Sequence, residues 1–221
     1  MKRMIALIMA CMLFLCFTGC ANNNTSSTND TGSNATESNN EVSDNQSENP
    51  DNNTEVSGDG KVLIVYFSHG GNTHRLTEMI KAEVEADVIR LTPAGAYEND
   101  TLFERAQDEL NNGARPKISN LPDAETVAQY DTILVGFPIW WYDLPMPMWT
   151  FLEAYDLSGK TIIPHFTHNG SSGGAGSLDT IEELCPNSTV RSDDALSVAG
   201  NSVESAESEV KEWVSKIGFS K

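Results

Sequence analysis

Short apolar runs that alternate with helical patterns constrain the fold of this chain more than any other feature. Three runs rich in β-branched and aromatic residues are typical of strands that are buried on both faces. They are residues 61–67 (KVLIVYF), 131–136 (DTILVG) and 160–166 (KTIIPHF). Residues 86–91 and 188–192 predict two shorter strands.

Helical patterns fill the intervals between these strands and follow the last one. The predicted helices cover residues 73–85, 100–112, 146–155, 176–184 and 202–217. Five strands that alternate with five helices predict an α/β fold with a parallel sheet and helices on both faces. Such sheets bind ligands at the carboxyl ends of their strands, so the loops after the three long runs form the candidate site.

Composition divides the chain into a polar, acidic segment and a folded domain. Residues 21–60 contain eight acids, 11 Asn, 12 Ser or Thr, no Lys or Arg and no aromatic residue. Such a segment cannot bury enough apolar surface to offset its ordering entropy, so we predict a disordered linker over 20–60. Residues 61–221 suit one folded domain, and two folded domains are excluded by length.

The first twenty residues have the pattern of an export signal. Two basic residues precede an apolar stretch over 4–17, and these fourteen residues are too few for a membrane-spanning helix, which needs about 20. Cys20 follows small residues, and residues 1–19 resemble a bacterial lipoprotein signal. The resemblance implies that Cys20 is lipidated and that the domain is extracytoplasmic and lipid-anchored to a bacterial membrane. Simple secretion is the alternative.

The charge of the chain restricts its partners. It has 32 acids against 14 Lys or Arg, a net charge of −18, and residues 61–221 carry −12 of it. This acidity argues against a nucleic-acid partner, which would be held through its phosphates.

The first candidate loop lies directly between the first strand and a helix. It comprises Ser68, His69, Gly70, Gly71, Asn72 and Thr73. Hydroxyls, an amide and two glycines let backbone N–H groups turn inward at a helix N-terminus, which makes an anion cradle without Lys or Arg. The loop lacks the nucleotide P-loop and dinucleotide patterns, so a single phosphate suits it better than a triphosphate. A plain turn with Asn72 or Thr73 as the N-cap is the alternative.

Residues 66–73 (YFSHGGNT) resemble the phosphate loop of flavodoxins, whose pattern is Ser/Thr-x-Thr-Gly-x-Thr. Ser68, Gly71 and Thr73 hold the family positions, whereas Gly70 stands where the family usually has Thr. The loss of that hydroxyl predicts weaker phosphate binding. The resemblance implies FMN as the cofactor and a flavodoxin-like three-layer sandwich, with a five-stranded parallel sheet of order 2-1-3-4-5.

The second candidate loop, 136–145 (GFPIWWYDLP), is an aromatic segment between prolines. Its candidate ligand contacts are Pro138, Ile139, Trp140, Trp141 and Tyr142. Large flat side chains at the ligand edge of a sheet suit stacking on a planar ring, with core packing as the alternative. The segment resembles the Pro-x-Trp-Trp loop of one flavodoxin-like branch, which packs on the flavin, so Trp140 or Trp141 would stack there. For Trp149, core packing is the preferred interpretation.

The third candidate loop follows the last long run. Its candidate contacts are Thr167, His168, Asn169, Gly170, Ser171 and Gly173. The glycines permit close backbone approach, and the polar groups can bond the edge of a ring; a surface loop without ligand is the alternative. The loop resembles the family's Thr-x-x-Gly-Ser segment on the far side of the isoalloxazine. Residues 95–97 (GAY) and 112–116 (NGARP) also resemble the Pro-x-Trp-Trp branch.

Three other kinds of site fit the sequence less well. A receiver domain needs acids after the first strand to hold Mg²⁺, and residues 68–71 offer none. A zinc site from His165, His168 and Cys185 has no Cys-x-x-Cys to support it. A serine hydrolase would need a Gly-x-Ser-x-Gly elbow in a sharp turn directly after a central strand; residues 170–174 (GSSGG) match these letters but begin four residues beyond the predicted strand. We predict no metal and no catalytic side chain, because the flavin would carry the chemistry.

The resemblance leaves three functions open. The first is a low-potential electron carrier, served by a partner with a basic docking face or by a membrane-bound electron donor. The second is an FMN-dependent NAD(P)H/quinone-type oxidoreductase, and the third is a lipoprotein that binds flavin without turning it over. Reduced flavin tends toward an anion, so an acidic domain with no Lys or Arg in the three loops favours a low potential.

Overall fold

The computed structural model describes residues 62–170, 173–174 and 176–219. The predicted signal over 1–19, the linker over 20–60 with Cys20, and Ser171 lie outside these residues. No helix within the described ranges has both the length and the apolar character that a membrane crossing requires.

The described residues form a parallel sheet of six strands. These are β1 (Val62–Tyr66), β2 (Asp87–Arg90), β3 (Thr132–Pro138), β4 (Thr161–His168), β5 (Thr189–Val190) and β6 (Leu196–Ala199). The order is β2-β1-β3-β4-β5, and β6 also pairs with β4. The predicted flavodoxin-like order 2-1-3-4-5 is therefore confirmed.

The position of the fifth strand differs from the expected single strand over 188–192. Two short segments, β5 and β6, pair with β4 on either side of a 3₁₀ turn at Ser192–Asp194. Within the interruption, Arg191 forms an ion pair with Asp194 at 2.8 Å and donates to the Ile217 carbonyl at 3.1 Å. The polar residues at 191–194 interrupt the apolar pattern, so the predicted strand ends before β6 begins.

Helices cover both faces of the sheet, as expected. In the part of the chain that the structure describes they are α1 (Asn72–Glu83), α2 (Leu102–Asn111), α3 (Ala124–Ala128), α4 (Met146–Ala154), α5 (Ser177–Leu184) and α6 (Glu207–Ile217). The last predicted helix begins as a 3₁₀ turn at Val203–Ser205 and continues as α6. The five-residue α3 was not predicted, because it is too short to show a helical period.

Alternate residues of the central strands point to opposite faces, and both faces are buried. Ile64 and its neighbours pack against α1 and α6, whereas Leu63 and Val65 pack against the layer that contains α3, α4 and α5. All three of these side chains are 0% exposed. Burial on both faces explains why the strands have continuous apolar sequences.

Candidate functional site at the carboxyl edge of the sheet

The carboxyl ends of β1, β3, β4 and β6 surround one cleft of about 390 Å³. This volume lies within the ~300–1,000 Å³ typical of small-molecule sites. Eleven of the predicted site residues line it: Ser68, His69, Gly70, Asn72, Thr73, Pro138, Ile139, Trp140, Thr167, His168 and Asn169. The sheet therefore brings all three predicted loops to one place.

Five predicted site residues belong to the same loops but do not line the described part of this cleft. They are Gly71, Trp141, Tyr142, Gly170 and Gly173. The three glycines have φ of 87°, 88° and 74°, a left-handed backbone that favours glycine. Their contribution is to the shape of the loops.

The first loop passes into α1 as the cradle hypothesis requires. Gly71 is the N-cap residue, and α1 has no side-chain cap within the described residues. The backbone N–H of His74 donates to Ser68 Oγ at 3.2 Å. A Cβ added at Gly70 or Gly71 would meet no atom within 4 Å. Open space therefore lies in front of both glycines, which leaves room for an anion close to the backbone.

One cation lies next to the first loop. Arg90, at the end of β2, donates from Nη2 to the Ser68 carbonyl at 3.3 Å. Arg90 was not among the predicted site residues, because it belongs to a strand 22 residues away from Ser68. The nearby Arg75 forms an ion pair with Glu204 at 3.6 Å on the exposed side of α1.

Trp140 is the aromatic residue of the second loop that faces the cleft. Its ring centroid lies 5.3 Å from those of Phe67 and Tyr97 and 6.1 Å from that of His69, all in edge-to-face arrangements. His69 is held in turn by a 2.8 Å hydrogen bond between its Nε2 and Asn99 Oδ1. These contacts fix the Trp140 ring as a wall of the cleft.

Tyr97, in the segment after β2, supports Trp140 from behind. Its hydroxyl donates to Glu109 Oε2 at 2.7 Å, and the Arg105 guanidinium lies 3.9 Å from the centre of its ring. Burial, together with the hydrogen bond to Glu109, raises the pKa of Tyr97 well above its ordinary value. The phenol is therefore neutral, and its role in the structure is to pack.

Trp141 and Tyr142 form a strained tight turn beyond Trp140. Their φ values are 48° and 64°, and two hydrogen bonds of 3.0 and 2.9 Å join the backbones of Trp140 and Asp143. Positive φ at both central residues is the pattern of a type I′ turn, which normally takes Asn or Gly. The turn is retained by contacts at both corners: Trp141 Nε1 donates to the Phe103 carbonyl at 3.0 Å, and the Tyr142 carbonyl accepts from Gly176 N–H at 3.0 Å.

A smaller apolar pocket of about 260 Å³ adjoins the cleft. Its lining consists of Leu102, Phe103, Ala106, Ile139, Trp140, Trp141 and Tyr142. Four of these residues also line the cleft, so the two spaces are continuous. Phe103 is 74% exposed and Tyr142 is 67% exposed, which is unusual for large apolar side chains.

The third loop contributes a histidine, His168, to the lining of the cleft. His168 Nδ1 is buried and has no hydrogen-bond partner among the described residues. The His168 carbonyl accepts the Gly200 N–H at 2.8 Å, which fixes the backbone at this point. Because a buried polar atom without a partner is costly, this nitrogen is suited to bond a ligand.

Four residues that line the cleft were not predicted from the sequence. They are Leu102, Phe103, Gly200 and Asn201. A Cβ at Gly200 would lie 2.6 Å from Asn72 Nδ2, so the chain directly after β6 comes close to the first loop. The alternation in 196–199 (LSVA) followed by Gly-Asn was a signal for that strand end. Nothing in the sequence marked Leu102 or Phe103 as site residues.

Two of the three residues considered for zinc, His165 and Cys185, do not line the cleft. His165 is fully buried, with its Nε2 3.0 Å from Thr77 Oγ1, and Cys185 is a buried free cysteine. Among the residues that the structure describes, no group of three or more His, Cys, Asp or Glu could hold a metal ion.

The features of the cleft fit FMN. The open space at Gly70 and Gly71 accepts a phosphate at a helix N-terminus. Trp140 offers a flat apolar wall for a ring, and His168 Nδ1 offers a polar contact for a ring edge.

Comparison with known proteins gives a consistent result. A family model described as flavodoxin matches residues 61–217. The structure of a proposed flavoprotein from Bacteroides uniformis is 31% identical with a TM-score of 0.60, covering 71% of this chain and 98% of that one. The structure of a second proposed flavoprotein, from Bacteroides eggerthii, is 29% identical with a TM-score of 0.61, and the match covers 71% of this chain and 97% of that one. A flavoprotein from Lactobacillus acidophilus, solved in complex with FMN, is 20% identical with a TM-score of 0.52, and the match covers 66% of this chain and 97% of that one. No curated protein matches the chain.

Proposed function

Because the chain belongs to the flavodoxin family, we propose that it is an FMN-binding redox protein that carries electrons at low potential and is tethered to the outer face of a bacterial membrane. FMN, the cofactor predicted from the sequence, is confirmed by the family assignment. When bound, FMN supplies the electron chemistry, and the protein supplies position and electrostatics.

Each wall of the cleft has a proposed role. The backbone N–H groups at the start of α1, over 70–73, hold the phosphate. Trp140 packs on the ring and excludes water from one side of it. His168 Nδ1 and Asn169, from the opposite loop, bond the edge of the ring.

The observation that carries the proposed low potential is the sparse positive charge around the cleft. The three loops contain no Lys or Arg, and Arg90 contacts the phosphate end of the cleft through Ser68. Negative charge added to the ring on reduction is therefore repelled by the acidic domain, and few positive charges lie close enough to offset this repulsion. A redox titration of the FMN-loaded full chain should give a reduction potential for the second electron that is lower than the corresponding potential of free FMN. A second step at or above the value for free FMN would contradict the proposal.

The role of carrier is tested by the number of steps in which the bound flavin is reduced. Spectra recorded during stepwise reduction of the loaded protein should show two separate one-electron steps. Rapid two-electron reduction by NADH or NADPH without membranes would instead support a reductase, and would contradict our proposal of a membrane-bound electron donor.

The proposed tether rests on the sequence around Cys20. Full-length protein expressed in a bacterium should enter the membrane fraction and incorporate a labelled fatty acid. Cys20→Ser should lose the label, while Cys185→Ser, in the folded domain, is the matched control and should keep it. Labelling that survives Cys20→Ser would contradict the proposed anchor.

The proposed protein partner has a basic docking face. An acidic domain attracts such a partner through long-range electrostatics, so the association rate should fall as salt rises. A rate that does not depend on salt would contradict electrostatic docking.

The apolar pocket next to the cleft favours a second candidate function, an FMN-dependent oxidoreductase that acts on a planar acceptor such as a quinone. About 260 Å³ between Phe103, Trp140 and Trp141 suits one aromatic ring. Under this alternative, the loaded protein should reduce a soluble quinone with NAD(P)H, and Phe103→Ala should raise KM more than it lowers kcat. Absence of turnover would leave the carrier as the supported function.

A further inference from the structure

A row of buried polar side chains joins α1 to β4 beneath the cleft. Thr73 Oγ1 lies 2.9 Å from Thr167 Oγ1, and Thr77 Oγ1 lies 3.0 Å from His165 Nε2. All four residues are at most 3% exposed. We call these residues the buried polar seam. Its upper pair lines the cleft, whereas its lower pair, Thr77 and His165, lies one layer deeper and is not part of the lining of this cleft.

The two pairs match the geometry of a helix that crosses a strand. Thr73 and Thr77 are one helical turn apart on the same face of α1, a rise of about 6 Å. His165 and Thr167 are on the same face of β4, about 7 Å apart. Both hydrogen bonds therefore form together in one axial position of α1, and a shift along the helix axis breaks both.

The surroundings of the lower pair are apolar. Leu76, Ile80, Leu134, Ile163 and Trp213 belong to the core cluster on this face of the sheet. His165 Nδ1 has no partner among the described residues, so the bond to Thr77 is the hydrogen bond of this ring. Apolar contacts alone allow small slides between a helix and a sheet, whereas a buried hydrogen bond has one geometry.

The neighbouring strand is shaped to admit the imidazole. A Cβ on Gly136 would lie 2.3 Å from His165 Nε2 and 2.7 Å from the Cβ of Tyr66. Gly136 occupies the interior of β3, where glycine weakens a strand. The chain thus has no side chain at 136, and that space holds the ring of His165.

We infer that Thr77 and His165 are positioning residues for the anion cradle, and that their hydrogen bond sets the height of the α1 N-terminus for the phosphate of FMN. The cradle N–H groups at 70–73 belong to α1 or directly precede it, so they move with the helix. The inference rests on the proposed binding of FMN, and it assigns phosphate recognition to side chains that do not touch the cofactor.

The test compares FMN with riboflavin, which has the same ring and no phosphate. The full chain, freed of flavin, is titrated with each compound and the quenching of flavin fluorescence is followed. Thr77→Val keeps the side-chain volume and removes the hydroxyl, and Thr77→Ser restores a hydroxyl at the same position. His165→Phe and His165→Gln are the corresponding pair on β4, because the Gln amide can replace Nε2.

Thr77→Val and His165→Phe should weaken FMN binding about tenfold, as expected when charge-assisted bonds to a phosphate are displaced, and should change riboflavin binding less than about twofold. Thr77→Ser and His165→Gln should recover most of the loss. Riboflavin binding shows that each variant is folded. Equal losses for the two flavins, or unchanged FMN binding in Thr77→Val, would overturn the inference. A wild-type chain that binds neither flavin would instead overturn the proposed function.

Discussion

The hydroxyl oxygens of Thr73 and Thr167 lie 2.9 Å apart in a buried position, although 94 residues separate them in the sequence. This contact joins the loop that begins α1 to the loop that follows β4. It therefore links the proposed phosphate end of the cleft to the loop proposed to bond the ring edge.

Loss of this contact should destabilise the protein. Thr167→Val leaves the Thr73 hydroxyl buried without its partner, which should lower the free energy of unfolding by about 1–3 kcal/mol. Urea denaturation of the flavin-free protein measures the change. Thr167→Ser keeps the hydroxyl and is the control; if it costs as much as Thr167→Val, the hydrogen bond has no part in stability.

The two adjacent tryptophans should differ in their effect on FMN binding. Trp140 lines the cleft and Trp141 does not, so Trp140→Ala should raise the Kd for FMN about tenfold, since an aromatic pair contributes about 0.5–1.5 kcal/mol beyond its buried area. Trp141→Ala should leave the Kd within about twofold, and Trp140→Phe should restore part of the loss. Fluorescence titration measures all three, and the reverse ranking would assign the stacking residue to Trp141.

Strain in the turn at Trp141 and Tyr142 should be measurable. Tyr142 is exposed and has a φ of 64°. Tyr142→Gly and Tyr142→Ala both remove the aromatic ring, but only glycine adopts this positive φ without strain. We expect Tyr142→Gly to be more stable than Tyr142→Ala by about 1 kcal/mol, measured by thermal unfolding. Equal stabilities would show that this turn stores no strain.

The stability of the fold should fall in mild acid because of His165. Burial lowers the pKa of His165 from 6.5 to about 3, so the unfolded chain takes up a proton in this window while the folded protein does not. This contribution is fully present above pH 6.5 and is lost as the pH falls toward 3, at about 1.4 kcal/mol per pH unit.

His165→Gln separates this effect from the titration of carboxylates. The variant lacks the imidazole, so its free energy of unfolding should fall less steeply than that of the wild type between pH 6 and 4. Urea denaturation at several pH values gives both curves. Parallel curves would show that the pKa of His165 is the same in the folded and the unfolded chain, and would contradict the prediction.

The sequence predicted most of the fold because β1, β3 and β4 are buried on both faces and so have continuous apolar runs. The interrupted fifth strand could not be predicted in full, because a surface ion pair between Arg191 and Asp194 replaces the apolar pattern there. The three loops were predictable because parallel strands end at one edge of the sheet. Which of these loop residues contact FMN stays a prediction.

Two features of the site depend on contacts distant in sequence. Arg90 reaches the first loop from another strand, and Gly200 approaches Asn72 from the end of β6. The positive φ of Trp141 and Tyr142 was also hidden, because neither residue type indicates a type I′ turn. Tertiary contacts decide these details, and local sequence preference does not.

The break between β5 and β6 also determines how the rim of the sheet meets other molecules. A long unpaired strand at a rim is a template on which a second chain can add a strand and begin to aggregate. Here that rim consists of two residues in β5 and four in β6, with the Ser192–Asp194 turn between them, and β2 at the opposite rim has only four. Neither rim gives a foreign strand a long run of backbone hydrogen bonds, which protects the domain from sheet-to-sheet association at high local concentration.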